Sequence, residues 1–356
     1  VINIEELRNE LQTIIDETAF YAKNDFIQTG IDIFDIYAGG GFMLGTFNML
    51  CGFPGCGKST FAINVSANVQ KKYEDAVVIY FDTENAVSKK RLKQLGVKEE
   101  KLLLISGNIT IETIFQTIDK MIEFKDKKKS KKVPFVIVWD SLAFTPSKRA
   151  LAGDDIQNTD GMIRAKIIAE YLPRYLGLFQ EYNFLMLVIN QMREKANMNP
   201  YGGSIDITVK GLGNVSIPGG KAPIFGSFHL PIMSVQEFLS KDSYGFDGAV
   251  IKCKLVKNKA GTPNKEFFMV LDYKKGFDNF WTNYYYLKKT KRLVAGSWNY
   301  LKDLPEVKFR TKDAKKKYLE DSRFREVFDK EVVELYKLLK MDVEDEIELN
   351  LDDGSE

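Results

Sequence analysis

One histidine, three cysteines and no apolar run approaching the ~20 residues that cross a bilayer set the first limits on this 356-residue chain. His229 and the thiols at Cys51, Cys56 and Cys253 offer none of the clustered Cys/His spacings that hold structural zinc. Three scattered thiols make no disulfide framework and fit a reducing, cytoplasmic setting. The opening residues, VINIEELRNELQTIIDETAF, are charged and amphipathic, unlike a secretory leader. No internal repeat is visible, and the length suggests a large core with an appendage.

Charge is scarce in net terms but unevenly placed. The formal balance is +2, yet residues 341–356 (MDVEDEIELNLDDGSE) hold eight carboxylates and no Lys or Arg, leaving +10 on residues 1–340. A basic body with an acidic tail fits a polyanion-binding surface that the tail can cover, or simply a solvated terminus.

What is present is a repeated alternation. Apolar residues Ile4, Leu7, Leu11, Ile14 and Ile15 give residues 3–20 one greasy helical face. FNML, AVVIYFD, VPFVIVWDS and NFLMLVINQ read as buried strands, with helical patterns at TFAINVSANVQKKY, 88–95, 111–125 and about 160–180. Short apolar strands alternating with helices predict an α/β fold with a mostly parallel sheet covered on both faces. Ligands of such a sheet lie beyond the carboxyl ends of its strands. GAVIKCKLVKNK and KEFFMVLDY read as antiparallel edge strands around an AGTP turn. From about 277 an aromatic, basic, α-rich module follows, ending in a helix near 321–340. The run KDKKKSKK (125–132) reads as a solvated loop. The expected organisation is a helical arm over 1–25, a core over 26–276, a small module over 277–340 and the acidic tail.

Between a strand and a helix stands GFPGCGKS (52–59), which fits G-x-x-x-x-G-K-[ST] at every position. Such a loop turns its N–H groups onto a phosphate chain and adds the positive end of the helix dipole. Gly52, Phe53, Pro54, Gly55, Cys56, Gly57, Lys58, Ser59 and Thr60 are the expected nucleotide contacts. Lys58 is placed to reach the β- and γ-phosphates, and Ser59 to ligate Mg²⁺. Asp140 ends an apolar strand, where a carboxylate can hold Mg²⁺ through water. Glu84, after another strand end, is a candidate to activate the attacking water.

Taken in series, these residues resemble RecA-type homologous recombinases, the phage UvsX branch most of all. The resemblance rests on TG at 29–30, FD at 34–35, GGG at 39–41, DTENA at 82–86 and KQLGV at 93–97. It continues through VIVWDSLAFTP at 136–146, INQ at 189–191, PGGKA at 218–222 and KLVKNK at 254–259. RAK at 164–166, SWNYL and SRFREVF (322–328) are more similar to UvsX than to bacterial RecA. The resemblance implies a RecA-like P-loop ATPase core using ATP and Mg²⁺, with Glu84 as catalytic base and Gln191 as γ-phosphate sensor. It also implies that Lys257 and Lys259 reach the ATP of a neighbouring subunit. Two residues apart on a strand, they share a face; an edge strand also uses such lysines simply to stay soluble.

The Gly- and Asn-rich span 192–220 and the segment 147–162 resemble the family's two DNA-binding loops, with Arg164, Arg193, Lys210, Gly219 and Gly220 as candidate contacts. Where family members often place an aromatic against adenine, this chain has Arg91, whose guanidinium can stack on a base. The expected function is a DNA-dependent ATPase that forms helical filaments on single-stranded DNA and catalyses homologous pairing and strand exchange with duplex DNA. Its expected partners are both DNA forms and further copies of itself, with single-strand-binding and loader proteins as additional candidates, and no membrane. If phage-encoded, its place is the host cytoplasm. The competing readings are a hexameric replicative helicase on the same fold and a nucleotide-switched DNA-binding regulator. A helicase calls for an arginine finger where this chain has KNK. The arm is a candidate oligomerisation element or a helix that docks on its own core. The terminal module is a candidate duplex-binding surface or packing with a soluble rim.

Overall fold

The computed structural model describes residues 25–153, 160–194, 205–209 and 213–352. The expected N-terminal arm, except Asp25, lies outside them, as do Lys210 and the last four residues of the acidic tail.

The apolar runs form strands because both of their faces are covered. Phe47–Gly52 and Phe135–Asp140 are buried at every position, which only a sheet with helices on both sides allows. Nine strands form one sheet. From one edge to the other they are Gly276–Phe277, Lys265–Asp272, Gly248–Asn258, His229–Leu239, Phe47–Gly52, Phe184–Gln191, Phe135–Asp140, Val77–Asp82 and Leu102–Ser106. The six from His229–Leu239 to Leu102–Ser106 run parallel, and the other three extend the sheet in antiparallel fashion.

One apolar layer joins helix Lys58–Lys72 to the terminal module and includes Phe61, Val65, Trp281, Leu287 and Phe328. The other lies under helices Ile111–Lys128 and Asp160–Glu181 and includes Phe115, Trp139, Leu172 and Phe179. Thr110 starts the first of these helices by accepting the Thr113 N–H at 3.2 Å, a hydroxyl cap on a donor that the helix leaves unpaired.

Three of the nine sheet strands were not apparent from periodicity, among them the two-residue edge Gly276–Phe277. Leu102–Ser106 is a half-exposed edge. His229–Leu239 contains Pro231, which argues against an inner strand, but the pairing shifts register between Leu230 and Pro231. An irregularity is where a sheet tolerates proline.

The KDKKKSKK reading needs correction. The helix runs on to Lys128, and Lys125 is 0% exposed. Its ammonium donates to the carbonyls of Tyr182 (2.6 Å), Lys131 (3.3 Å) and Val133, and lies 4.2 Å from the centre of the Phe135 ring. Burial pulls its pKa down to about 7. A charge run is solvated only where no carbonyl cluster waits beneath it.

The segment after Gln191 also has more structure than its composition suggests. Arg193–Glu194, Ile205–Val209 and Gly213–Ile217 form a three-stranded antiparallel sheet, with Ser216 opposite Arg193. The terminal module is α-rich as expected. Helices Asn279–Lys289, Ala314–Glu320 and Ser322–Asp352 are accompanied by a small sheet of Leu293–Val294, Asn299–Leu301 and Leu304–Phe309.

Candidate active site

The loop 52–57 leaves the buried strand at Gly52 and enters the helix at Lys58. Gly57 caps that helix at φ +84°, and a Cβ there would lie 2.8 Å from Leu271 Cδ2. Only glycine meets both demands. Cys56 is buried beneath the loop, its thiol 3.0 Å from the Phe53 carbonyl, while Pro54 and Gly55 are exposed. Burial raises the Cys56 pKa, so the thiol acts here as a small filler. Lys58 donates to the carbonyls of Gly52 (3.0 Å) and Phe53 (2.8 Å), which curls its ammonium over the loop.

Three neighbouring strands bring the other polar groups to this end of the sheet. Gly52 is in register with Gln191, and Asp82 with Asp140. Asp140 accepts the Tyr80 hydroxyl at 2.6 Å. Burial raises its pKa, while hydrogen bonds from Tyr80 and Ser59 oppose the rise. Ser59 and Asp140 thus meet, as a shared ion would require. Among the described residues no cluster of three His, Cys, Asp or Glu side chains could hold a metal alone. One hydroxyl and one carboxylate suit Mg²⁺, which keeps waters and takes its remaining ligands from substrate phosphates.

Glu84 lies two residues beyond the Val77–Asp82 strand. Its Oε1 accepts the Ser141 hydroxyl at 2.5 Å and the Gln191 amide at 3.0 Å. Asp82 shapes the turn by accepting the N–H groups of Ala86 (3.2 Å) and Val87 (2.8 Å). Thr83 donates to the carbonyls of Asp140 and Ser141, each at 3.0 Å, and accepts the Ser141 N–H at 2.9 Å. Sequence reasoning found Glu84 but missed Ser141 and Thr83 as site residues, although both lie inside the quoted motifs VIVWDSLAFTP and DTENA. The Asp140–Ser141 peptide is cis.

Of the remaining expected site residues, Arg91, Arg164 and Lys257 are engaged elsewhere. Arg91 donates to the carbonyls of Lys274 (2.6 Å) and Tyr273 (3.0 Å), across the turn after the Lys265–Asp272 strand. Arg164 pairs with Asp160 at 2.9 Å and donates to the Ala143 carbonyl at 2.9 Å. Lys257 donates to the carbonyls of Ile224 (3.2 Å) and Phe225, at the end of the short helix Lys221–Gly226; Lys259 is exposed. Burial and the nearby Lys259 charge lower the Lys257 pKa. Gly219, at φ +97°, and Gly220, at +78°, pack so closely that a Cβ would lie 2.7 Å from Leu142 Cδ2 and 2.9 Å from Ala165 Cβ, respectively. Their backbone freedom serves packing as well as any approach to a ligand.

A family model of the RecA N-terminal domain matches residues 14–278. The chain belongs to the RecA family. Among its relatives, Protein RecA of Mycoplasma mycoides subsp. mycoides SC is 28% identical over 240 residues, covering 67% of this chain and 63% of that one. Protein RecA of Wolinella succinogenes is 28% identical over 249 residues, covering 68% and 64%. Protein RecA of Mycoplasma mobile is 26% identical over 265 residues, covering 74% and 73%. The chain therefore spans under two thirds of the first two relatives. These RecA matches do not distinguish a UvsX branch. Among the described residues no helix is long and apolar enough to cross a membrane.

Proposed function

We propose that this protein is a Mg²⁺- and DNA-dependent ATPase of the UvsX kind. It assembles as a helical filament on single-stranded DNA and pairs that strand with homologous duplex. The observation that carries this reading is the hydrogen bond from Gln191 to Glu84. It joins the candidate catalytic carboxylate to the residue that opens the candidate DNA-binding span. Relatives named Protein RecA support the same direction.

In this reading the loop N–H groups and Lys58 hold the β- and γ-phosphates. Glu84 orients the attacking water and takes its proton, with Ser141 holding the carboxylate in place. Ser59 and Asp140 would hold Mg²⁺, which supplies charge neutralisation across the phosphate oxygens. Gln191 exchanges its bond to Glu84 for the γ-phosphate. Lys257 and Lys259 act on the ATP of the next subunit, so turnover needs assembly. Arg164, Arg193, Lys210, Gly219 and Gly220 are the proposed DNA contacts, and the protein works in the cytoplasm.

Electron microscopy on single-stranded DNA tests the proposal. Filaments are expected with ATP but not ADP, and phosphate release should be stimulated by the strand. Rings, or an unassembled protein in the presence of both ATP and DNA, would overturn the filament. Negligible phosphate release would overturn the ATPase.

A further inference from the structure

Tyr80 stands inside the Val77–Asp82 strand, opposite Val138 of the Phe135–Asp140 strand. It is 0% exposed and lies in the apolar layer that also holds Val78, Val136 and Val138. A phenylalanine would fill that slot equally well, so the hydroxyl is the part that the core does not require. It donates to Asp140 Oδ2 at 2.6 Å, and Ser59 is its other hydrogen-bonding neighbour. The phenol thus directs its one polar group at the two residues that would hold Mg²⁺.

A neighbouring carboxylate is held in another way. Asp82 is in register with Asp140, yet its Oδ1 and Oδ2 accept the N–H groups of Ala86 and Val87 in the following turn. Asp82 is committed to backbone, whereas Asp140 is fixed by a side chain. An ionised carboxylate only accepts, through two oxygens. A short bond from a hydroxyl to such a group is of the strong, charge-assisted kind. Tyr80 therefore holds Oδ2 and orients the whole carboxylate. Oδ1 is the oxygen that remains for an ion or its water.

We propose that Tyr80 is a positioning residue that sets which divalent ion the site accepts with its nucleotide. Resting on the Mg²⁺-dependent ATPase reading above, the inference adds a determinant of ion choice. Mg²⁺ keeps its waters and near-octahedral angles, and one carboxylate oxygen suffices for it. Ca²⁺ gathers more oxygens and readily takes both from a single carboxylate. By holding Oδ2, the phenol disfavours that second mode. Tyr80 touches neither ion nor phosphate and acts only through Asp140, as outer partners of metal ligands do.

The test titrates Mg²⁺ and Ca²⁺ separately into the full chain with a fluorescent ATP analogue and no DNA, for the parent and for Tyr80→Phe. The readout is the ratio of the Ca²⁺ midpoint to the Mg²⁺ midpoint for analogue binding. Formation of the ion–nucleotide complex in solution is common to both proteins and cancels in the comparison. Loss of the hydroxyl should lower the ratio by about tenfold, while affinity for the analogue in EDTA stays unchanged. An unchanged ratio overturns the proposal. So does a loss of affinity in EDTA as large as the change in ratio, which would make the hydroxyl a support of the loop and not of the ion site. A parent whose analogue binding ignores both ions overturns the Mg²⁺-dependent reading itself, so the two failures are distinguishable. If Tyr80→Phe does not fold, Tyr80→Met decides by the same ratio, because its flexible thioether fills the slot without a hydroxyl.

Discussion

Two sets of polar side chains in and around this sheet meet different fates. Glu84, Gln191, Ser141, Asp140 and Ser59 converge on one another from separate elements. Arg91, Arg164 and Lys257 are each held by carbonyls or carboxylates of their own neighbourhood. The first set is preorganised within one chain, as electrostatic catalysis demands. The second set is spread over separate neighbourhoods, each bonded locally. In the proposed reading the first set shapes the nucleotide site within one chain, and Lys257 and Lys259 complete it only from a neighbouring subunit.

The largest test of this contrast removes the lysines proposed to act between subunits. Lys257→Ala combined with Lys259→Ala should cost about 10³-fold or more in DNA-stimulated phosphate release, with nucleotide affinity unchanged. Full turnover in the double variant would erase the distinction between the sets. Glu84→Gln probes the convergent set. Its turnover should fall about 10²- to 10⁴-fold, with nucleotide affinity retained because the amide keeps the shape. A loss of affinity equal to the loss of rate would make Glu84 a binding residue.

A buried group outside both sets calibrates stability. His229 lies wholly inside the core, with Nε2 3.1 Å from the Gly41 carbonyl, and burial lowers its pKa from 6.5 to about 4. Between those values the unfolded chain binds more protons than the folded one. Stability from this group is therefore complete above pH 6.5 and lost as pH falls through about 4. The difference is about 3 kcal/mol. Denaturant midpoints of the parent should fall more steeply over this range than those of His229→Gln; parallel curves would refute the assignment. The smallest expected effect is that of deleting residues 341–356. Single-strand affinity should rise a few-fold and persist to higher salt if the acidic tail competes for the basic surface. An unchanged salt midpoint would separate the tail from DNA binding.

Much of the site was legible because its signals are local. GFPGCGKS carries its chemistry in eight consecutive residues, and Asp140 ends an apolar run that must be a buried strand. Lys125 was not legible, because its three carbonyl partners lie beyond its own helix, in the following turn and at Tyr182. Pro231 concealed an inner strand because the register shift that accommodates it arises only in the paired sheet. The Gly- and Asn-rich span read as a loop, since nothing local to it announces the antiparallel pairing of Arg193–Glu194 and Ile205–Val209 with Gly213–Ile217.

By itself the amino-acid order determined the alternating strands and helices, the phosphate-binding loop and the identities of the acid and amide at the strand ends. Backbone propensity, side-chain period and short motifs act over a few residues. Tertiary structure alone decided that Gln191 meets Glu84 across 107 residues and that Asn190 reaches Pro218 on the opposite face. Strand order and register set those meetings, and both arise only when the whole sheet packs between its helices.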